Sequence, residues 1–407
     1  MAEGTQPTER SQALWAELPD QEAQRVARQT LLPGFGITEQ VALRNTRVLV
    51  IGAGGLGCPL LQQIAAAGVG SIVIMDDDTV SWSNLHRQIL FGAADVGKPK
   101  VLVAADRLRQ LQPDIHVEAV TERFTADNAL RYLEGIDILV DGSDTFATKF
   151  LAADAAEVTG TPLVWGSVLR FQGDVALWWT GPGAPDRGVG MRDLFPTQPD
   201  PDSVPDCATA GVLGVTTSVV AGLMATELIW FASGKDTSRI GTLLRYDATA
   251  GSITHFTVPR DPKRQVVTEL SASAHGHGCA VRPANPAADV LADPQAAAID
   301  VREEGEKVLR DFPFPPHQEH YHLPTSLWTE QPDLAETLLA SITQPDVPTT
   351  GEAAPRTVWV YCASGKRSAR FIESFADSAH RKGLELRNVE GGVNAWDGAV
   401  DNARFFP

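Results

Sequence analysis

Short aliphatic runs alternate with longer apolar stretches along most of the chain. The runs at 47–51, 71–75 and 136–140 are nearly continuous in apolar side chains, which is typical of strands buried on both faces of a parallel sheet. Apolar stretches near 57–67 and 100–111 have the length and composition of helices that cover such a sheet. The pattern predicts an α/β fold.

The same alternation returns on a smaller scale near the end of the chain. Residues 298–301 and 357–362 are expected to form strands, and the second runs into a tight loop and a helix. Polar, alanine, glycine and proline residues dominate 259–294, which predicts a flexible linker. The expected organisation is a first α/β domain over 1–258, that linker, and a smaller α/β domain over 295–407.

Composition bounds the class of protein. With 407 residues, of which 43% are hydrophobic, the chain is long enough for two packed domains. A formal charge of −17 argues against nucleic-acid binding, because no basic stripe is available to release counterions. The sequence shows neither a basic and apolar leader nor an uninterrupted apolar run of membrane-spanning length, so we expect a cytoplasmic protein without a membrane partner.

The chain has four cysteines, at positions 58, 207, 279 and 362. They are too few and too dispersed for a disulfide framework, so those that matter are expected to act as thiols. Cys58 lies in the first turn of a predicted helix, where a small thiol usually packs in the core.

A glycine-rich loop follows the first predicted strand. Gly52, Gly54, Gly55 and Gly57 allow a tight turn and a close approach of the backbone, and the following helix presents free amides to a phosphate. The second strand leads into Asp76, at the distance where an acidic residue meets a ribose hydroxyl. NAD enzymes and flavin enzymes share this arrangement, so the loop predicts a nucleotide without identifying it. We therefore expect 1–258 to be a Rossmann-like nucleotide-binding domain with a mixed sheet.

Charged residues further along favour ATP over NAD. A dehydrogenase holds its pyrophosphate with backbone amides, whereas cleavage between the α and β phosphates of ATP leaves charge that Arg87 and Lys100 would neutralise. Asp144 follows a predicted strand and should face the same crevice. An NAD-dependent dehydrogenase is the alternative, but it has no use for these three residues together.

Two motifs in this region resemble those of a known superfamily. Residues 76–88, D-D-D-T-V-S-W-S-N-L-H-R-Q, and 97–100, G-K-P-K, are similar to motifs of the ubiquitin-activating-enzyme-like superfamily. The closest resemblance is to bacterial adenylyltransferases that activate sulfur-carrier proteins in molybdopterin and thiamin biosynthesis, and it covers roughly 24–259. It implies that Asp76 binds ribose and that the remaining motif residues surround the nucleotide: Asp78, Asn84, Arg87, Gln88 and Lys100.

The resemblance also assigns Asp144 to Mg²⁺, which would bring the phosphates to the attacking carboxylate. The family commonly has asparagine at the next position, where this chain has Thr145. The alternative is that Asp144 only caps the helix that follows.

Residues 25–29 resemble a family segment, R-x-x-R-Q, whose second arginine reaches the ATP of a partner subunit. Arg28 occupies that position. The resemblance therefore implies a homodimer, and the alternative is a solvated arginine on a surface helix.

The long irregular segment at 180–206 is expected to be a mobile surface loop, and Cys207 follows it. Cys207 begins a C-x-x-x-G-V motif that in the family carries a cysteine able to bond transiently to the activated carrier, although a lone loop cysteine is often inert. The family's two zinc-binding C-x-x-C pairs fall at 190–195 and 262–267, where this chain has no thiols. We therefore predict no structural zinc.

The candidate reactive residue of the second domain is Cys362, at the end of a predicted strand. Loop amides, the next helix N-terminus and Arg367 should lower the pKa of the Cys362 thiol and stabilise an anion on it. The C-x-x-G-x-R loop, the D-V-R-E start at 300–303 and the segment at 390–396 resemble rhodanese sulfurtransferases. Asp300 is expected to hold this region structurally.

Cysteine phosphatases have one more residue before the loop arginine, so this loop suits a single sulfur atom rather than phosphate. The alternative is a non-catalytic rhodanese-like docking domain, which the poorly patterned stretch at 312–354 leaves open.

Together the two resemblances imply one reaction sequence. ATP would adenylate the C-terminal glycine of a ubiquitin-like sulfur-carrier protein that ends in Gly-Gly. A persulfide on Cys362, loaded by a cysteine desulfurase or from thiosulfate, would then convert the activated end into a thiocarboxylate. The sequence identifies neither the carrier nor the pathway.

Overall fold

The computed structural model describes residues 9–186, 188–198, 211–235, 238–270, 287–293, 295–309, 311–315, 317–342 and 355–395. The chain divides into two compact units, Met1–Gly278 and Cys279–Pro407. Each unit has its own sheet and its own hydrophobic core.

An eight-stranded sheet forms the centre of the first unit. Its strands are β1 (Arg47–Ile51), β2 (Ser71–Met75), β3 (His116–Val120), β4 (Ile138–Asp141), β5 (Leu163–Leu169), β6 (Gln172–Trp178), β7 (Thr242–Asp247) and β8 (Ser252–Thr257). The spatial order is β3-β2-β1-β4-β5-β6-β7-β8. Strands β1 to β5 pair in parallel, whereas the pairs from β5 to β8 are antiparallel. The Rossmann-like domain with a mixed sheet is confirmed.

Helices cover both faces of this sheet. They are α1 (Glu9–Ala16), α2 (Asp20–Val26), α3 (Ile37–Arg44), α4 (Gly57–Ala67), α5 (Lys100–Leu111), α6 (Ala129–Leu133), α7 (Phe146–Thr159), α8 (Met191–Leu194) and α9 (Gly214–Ala232). Side chains of α4, α5 and α9 fill the core on one face, and side chains of α6 and α7 fill the core on the other. Strands β1, β2 and β4 bury nearly every side chain between these layers, which explains why their sequences lack polar alternation.

Helix α9 is the one described helix that is long and apolar enough to cross a membrane, by length and composition. Its buried side chains pack in the core of the first unit, against α4, β5 and β6. Its single acidic residue, Glu227, is buried and paired with Arg239 at 2.6 Å.

The glycine loop closes on itself where β1 meets α4. A β-carbon on Gly57 would lie 1.9 Å from the carbonyl oxygen of Gly52, so any larger residue would push the helix away from the strand. Gly52 has a φ of 91°, in the left-handed region that favours glycine. These two positions explain why the turn between β1 and α4 needs glycine.

The second unit has a parallel four-stranded sheet in the order β10-β9-β11-β12. Its strands are β9 (Ala297–Asp300), β10 (His320–His322), β11 (Arg356–Tyr361) and β12 (Leu384–Asn388), and its helices are α10 (Ala287–Ala292), α11 (Glu304–Leu309), α12 (Thr325–Glu330), α13 (Pro332–Ser341) and α14 (Lys366–Arg381). The smaller α/β domain is confirmed. The poorly patterned stretch holds β10, α12 and α13, which the sequence did not predict.

Residues near both ends of the predicted linker over 259–294 pack within one of the two units. At its start, Arg264 is bound within the first unit. At its end, Val290 on α10 packs with Ala298 and Phe312 in the core of the second unit. Polar residues flank both Arg264 and Val290, so the composition of the segment did not indicate that these two residues are bound.

Part of the predicted loop at 180–206 is also anchored. Helix α8 begins after Gly190, and Arg192 binds Asp154 of α7 with N–O distances of 2.5 and 2.7 Å. This part of the segment is therefore held against the first unit, in contrast to the expectation of a mobile loop. Residues 199–210, including Cys207, lie outside the described residues.

Candidate nucleotide and sulfur sites

Asp76 ties the glycine loop to the end of the second strand. One carboxylate oxygen accepts the N–H of Ala53 at 2.7 Å and the other accepts the N–H of Asp78 at 2.8 Å. Burial raises the pKa of Asp76 above its usual value, although Lys100 and these amides act in the opposite direction. The residue expected to bind ribose therefore also fixes the shape of the loop.

Two cations border this loop. The Lys100 amine lies 2.9 Å from the Asp78 carboxylate, and its side chain is buried while Asp78 is exposed. Arg87 donates to the carbonyl of Ser83 and contacts Nε2 of His86, each at 2.9 Å. A β-carbon on Gly55 would lie 3.3 Å from Arg87 Cδ, so the arginine stem covers the glycine loop. The structure thus holds Arg87 against the glycine loop and Lys100 beside Asp78, whose N–H binds the Asp76 carboxylate.

The two polar residues of the same motif differ in their partners. Asn84 accepts the N–H of Ser81 at 3.1 Å and thereby closes a short 3₁₀ turn. Gln88 is buried, and its Oε1 has no hydrogen-bond partner among the described residues. A β-carbon on Gly54 would meet only the Gln88 amide, at 3.9 Å. A buried acceptor without a donor beside an open glycine fits a site that a polar ligand completes.

The turn after β4 is held by a residue that the sequence analysis did not single out. Asp141 is fully buried and accepts the N–H and hydroxyl of Ser143 at 2.9 and 2.5 Å. The Lys149 amine lies 3.3 Å from Asp141 and donates to the Gly166 carbonyl at 2.6 Å. The sequence signal for this buried pair is a lone lysine within an apolar helix that follows a strand ending in an acid, and the sequence analysis did not use it.

Asp144 follows this turn and is exposed. Its carboxylate makes no hydrogen bond or ion pair with any described residue, whereas Asp76, Asp77 and Asp78 all have partners. Thr145, not Asp144, caps α7, because its hydroxyl accepts the N–H of Thr148 at 3.2 Å. The alternative that Asp144 is a helix cap is wrong.

The remaining predicted residues of the first unit lie in different settings. Arg28 is exposed just after α2, whereas Arg25 is held by Glu22 and by the Ala66 carbonyl. Cys58 is buried, donates to the Ala53 carbonyl at 3.2 Å, and has its pKa raised to about 12 by burial. This thiol packs, as expected.

Salt bridges join the two segments where the resembling family has its zinc-binding cysteines. Arg264 contacts both oxygens of Glu157 at 2.8 and 2.9 Å, and its Nε lies 2.9 Å from Asp193. Both carboxylates are buried. The pairing raises the pKa of Arg264 although burial alone would lower it. One guanidinium thus links 190–195 to 262–267.

In the second unit, the loop after β11 surrounds the sulfur of Cys362. The residue is fully buried, and the N–H of Gly365 donates to Sγ at 3.1 Å. Gly365 has a φ of 88°, and a β-carbon there would lie 2.8 Å from the Gly391 nitrogen. Val393 N–H donates to the Cys362 carbonyl at 3.0 Å. The late segment that begins at Glu390 therefore packs against the cysteine loop.

Arg367 lies in the first turn of α14, beside this loop, but its guanidinium is already paired. It donates to both oxygens of Glu306 at 2.6 and 2.7 Å. Burial alone would lower its pKa, but Glu306 and the charge of an ionised Cys362 raise it. Arg367 thus contributes positive charge near the sulfur while Glu306 fixes its position.

Asp300 holds the second unit together through Arg302, as expected. The buried Arg302 donates to both Asp300 oxygens at 2.9 and 2.7 Å and to Asp311 at 2.8 Å. The Tyr361 hydroxyl donates to Asp311 at 2.9 Å and contacts His320 Nε2 at 2.6 Å. This chain of polar side chains fixes the residue immediately before Cys362.

The partly buried His320 should make the second unit acid-sensitive. Burial lowers its pKa from 6.5 to about 4, helped by Lys307. Above pH 6.5 the residue is neutral in both states. Below it the unfolded chain binds a proton that the folded unit does not, so stability falls until about pH 4, by about 3 kcal/mol.

Urea unfolding of the full chain at pH 7.5 and 4.5, read by hydrogen exchange in β9 and β11, measures this loss. His320→Gln should lose less stability than the native chain over the same interval, and the exposed His380→Gln should match the native chain. Equal losses in all three proteins would contradict the assignment to His320.

Comparison with known proteins adds independent information. A model of the ThiF family matches residues 26–267, and a model of the rhodanese-like domain matches 284–399. The chain is 36% identical over 386 residues to the probable adenylyltransferase/sulfurtransferase MoeZ of Mycobacterium tuberculosis, which covers 93% of this chain and 94% of that protein.

Two further proteins match the first unit. The chain is 45% identical over 243 residues to the sulfur carrier protein adenylyltransferase of Thermus thermophilus, covering 60% of this chain and 90% of that protein. The crystal structure of Escherichia coli MccB with MccA-N7isoASN has a TM-score of 0.51 and 18% identity, covering 62% of this chain and 76% of that one. The second likeness is one of fold alone.

Proposed function

We propose that this chain, which belongs to the ThiF family and ends in a rhodanese-like domain, is an enzyme that adenylates a sulfur-carrier protein and then transfers sulfur to it. Both family resemblances found in the sequence are confirmed. The protein named MoeZ is a probable adenylyltransferase/sulfurtransferase, and the match covers 94% of its length, which supports the pairing of the two activities. The proposal places the enzyme in the cytoplasm.

The first unit would bind ATP along its glycine loop. A carboxylate oxygen of the carrier's C-terminal glycine attacks the α phosphorus, the bond to the bridging oxygen breaks, and pyrophosphate leaves. Arg87, which lies against the glycine loop, and Lys100, which is paired with Asp78, would neutralise the leaving group. Oε1 of Gln88, which has no partner among the described residues, would accept a hydrogen bond from a donor group of the nucleotide. The acyl adenylate that forms is a far better electrophile than the carboxylate.

Mg²⁺ fits the oxygen donors at this edge. Asp144 is exposed and has no described partner, so its carboxylate is available to a hard cation. When bound, the ion would offset charge on the phosphates. Asp141 and Lys149 hold the turn that presents Asp144.

The second unit would supply the sulfur. The Cys362 thiolate takes a sulfur atom from thiosulfate or from a cysteine desulfurase persulfide, and the donor leaves as sulfite or a thiolate. The outer sulfur then attacks the acyl adenylate and AMP leaves. A thiol reductant cleaves the resulting disulfide, which releases the carrier thiocarboxylate and restores Cys362. Cys207, outside the described residues, is the alternative relay.

One observation carries the proposal: a single chain holds both an exposed Asp144 that has no partner among the described residues and a sulfur that receives a backbone N–H from Gly365. A dehydrogenase uses neither. A docking domain has no need of a donor directed at the sulfur, so this contact favours an active rhodanese-like domain over the docking alternative.

Cys362→Ala should abolish sulfur transfer from thiosulfate to cyanide. Among the described residues of the second unit, Cys362 is the only thiol, and its sulfur accepts the N–H of Gly365. Thiocyanate formation measures the transfer. Cys58→Ala is the matched control, since that thiol is buried and its pKa is raised to about 12, and it should keep the native rate. Native activity in Cys362→Ala would remove this cysteine from the mechanism.

The proposal includes a homodimer in which Arg28 completes the partner's site. Arg28 is exposed, and the two residues that follow it closely, Leu31 and Leu32, are 81% and 57% exposed. Leu213 and Val215, at the start of α9, are also exposed. Exposed apolar side chains beside an exposed arginine favour a surface that a second copy covers.

Mixing two inactive variants tests this arrangement. Arg28→Ala and Asp144→Ala should each be nearly inactive in ATP/pyrophosphate exchange. If Arg28 acts across the interface, dimers reassembled from both variants contain one site that lacks neither residue, so the mixture should regain about a quarter of the native rate. If Arg28 acts within its own chain, no site is intact and the mixture stays inactive.

A further inference from the structure

The Cys362 sulfur has a second possible hydrogen-bond donor besides the Gly365 amide. Ser368 follows Arg367 in the first turn of α14, and its side chain is fully buried. Its Oγ lies 3.5 Å from Cys362 Sγ and 3.0 Å from the Gly365 carbonyl oxygen. The single hydroxyl proton therefore has two acceptors within reach.

We propose that the Ser368 hydroxyl is a hydrogen-bond donor to Cys362 that changes acceptor when the sulfur becomes charged. This rests on the proposed function, in which Cys362 ionises and carries a persulfide. A neutral thiol is a weak acceptor, so Ser368 then donates to the Gly365 carbonyl. A thiolate accepts charge-assisted hydrogen bonds, which are about twice as strong as neutral ones.

The change of acceptor leaves no polar group unpaired. When Ser368 turns to the sulfur, the Gly365 carbonyl keeps the N–H of Ala369, which donates to it at 3.1 Å. Because Ser368 is fully buried, water does not compete for its proton. The thiolate would then accept from both the Gly365 amide and the Ser368 hydroxyl, and each bond favours the ionised form.

This role differs from that of Arg367. The arginine is held by both oxygens of Glu306, so much of its charge is already balanced. Stabilisation at the sulfur itself then falls to the donors that touch it. Ser368 matters whenever Sγ carries the charge: when the thiolate attacks the donor, and when Sγ is released as a thiolate after cleavage of its bond to the outer sulfur.

Alkylation of the full chain with iodoacetamide across pH, with mass spectrometry of the Cys362 peptide, reads this contact without sulfur transfer. Ser368→Ala should move the pH profile of Cys362 alkylation upwards by about one pH unit, a tenfold change that corresponds to about 1.4 kcal/mol. Thiosulfate:cyanide transfer should show a roughly tenfold lower kcat with an unchanged KM, since the hydroxyl contacts the sulfur of the enzyme rather than the donor. Ser368→Thr, which keeps the hydroxyl, should restore both values.

Ser374→Ala is the matched control. Ser374 lies on the exposed face of the same helix and makes the same kind of bond, to the Arg370 carbonyl at 3.0 Å. If Ser368→Ala and Ser374→Ala share the native pH profile and kcat while Cys362→Ala is inactive, this inference fails and the proposed function stands. Sulfur transfer at the native rate in Cys362→Ala would instead overturn the proposed function.

Discussion

Asp144→Ala is expected to lower carrier-dependent ATP/pyrophosphate exchange by about 10²- to 10³-fold, the range seen when one preorganised electrostatic partner of a transition state is removed. Among the described acids at this edge, Asp77 and Asp78 are paired with cations whereas Asp144 has no described partner, so we do not expect them to replace it. The triphosphate and the attacking carboxylate are both anionic, and their repulsion should rise when the metal is lost. Exchange of labelled pyrophosphate into ATP measures the effect.

Folding should not confound this result. Asp144 is exposed and makes no described contact, so the unfolding temperature should stay near the native value. Asp77→Ala is the control, because Asp77 is a nearby exposed acid already paired with Arg123 at 3.1 Å. Full exchange in Asp144→Ala, or an equal loss in Asp77→Ala, would remove the assigned role from Asp144.

Arg264→Met is expected to destabilise the first unit by about 3–5 kcal/mol, because it leaves two buried carboxylates without their cation. Glu157 and Asp193 both lie against this guanidinium and are almost inaccessible to solvent. The unfolding temperature of the first unit should fall by about 10 °C, given the usual scaling for a unit of this size. Calorimetry of the full chain measures the shift.

Arg245→Met is the control that shows how much stability is lost when an ion pair that is less buried than that of Arg264 is broken. Arg245 binds both oxygens of Asp174 at 2.7 and 2.9 Å, but this pair is exposed to solvent, so its loss should cost less than about 1 kcal/mol. We also predict that a zinc chelator leaves the unfolding temperature unchanged. If the chelator lowers it and Arg264→Met does not, a metal rather than Arg264 joins the two segments.

The sequence predicted those parts of the fold in which one physical requirement dominates. Strands β1 and β2 were predicted at their observed bounds, because burial on both faces demands continuous apolar side chains. Gly52 and Gly57 were identified because a tight turn and a close approach leave no room for a β-carbon. Local patterns suffice for such features.

Features that depend on distant partners were not predicted. Strand β10 has only three residues, all partly exposed, and its position depends on pairing with β9. The Asp141–Lys149 pair and the Arg367–Glu306 pair join residues whose proximity follows from the tertiary fold. Arg264 lies in a polar stretch whose composition predicts a linker, and only its contacts with Glu157 and Asp193 show that it is bound.

The most direct test of the whole account is mass spectrometry of a Gly-Gly carrier incubated with the full chain, ATP, Mg²⁺, thiosulfate and a thiol reductant. We predict that one carrier oxygen is replaced by sulfur only when ATP is present, that Asp144→Ala leaves the carrier unchanged, and that Cys362→Ala stops at the adenylated carrier. Thiocarboxylate formed without ATP, or at the native yield by Cys362→Ala, would contradict it.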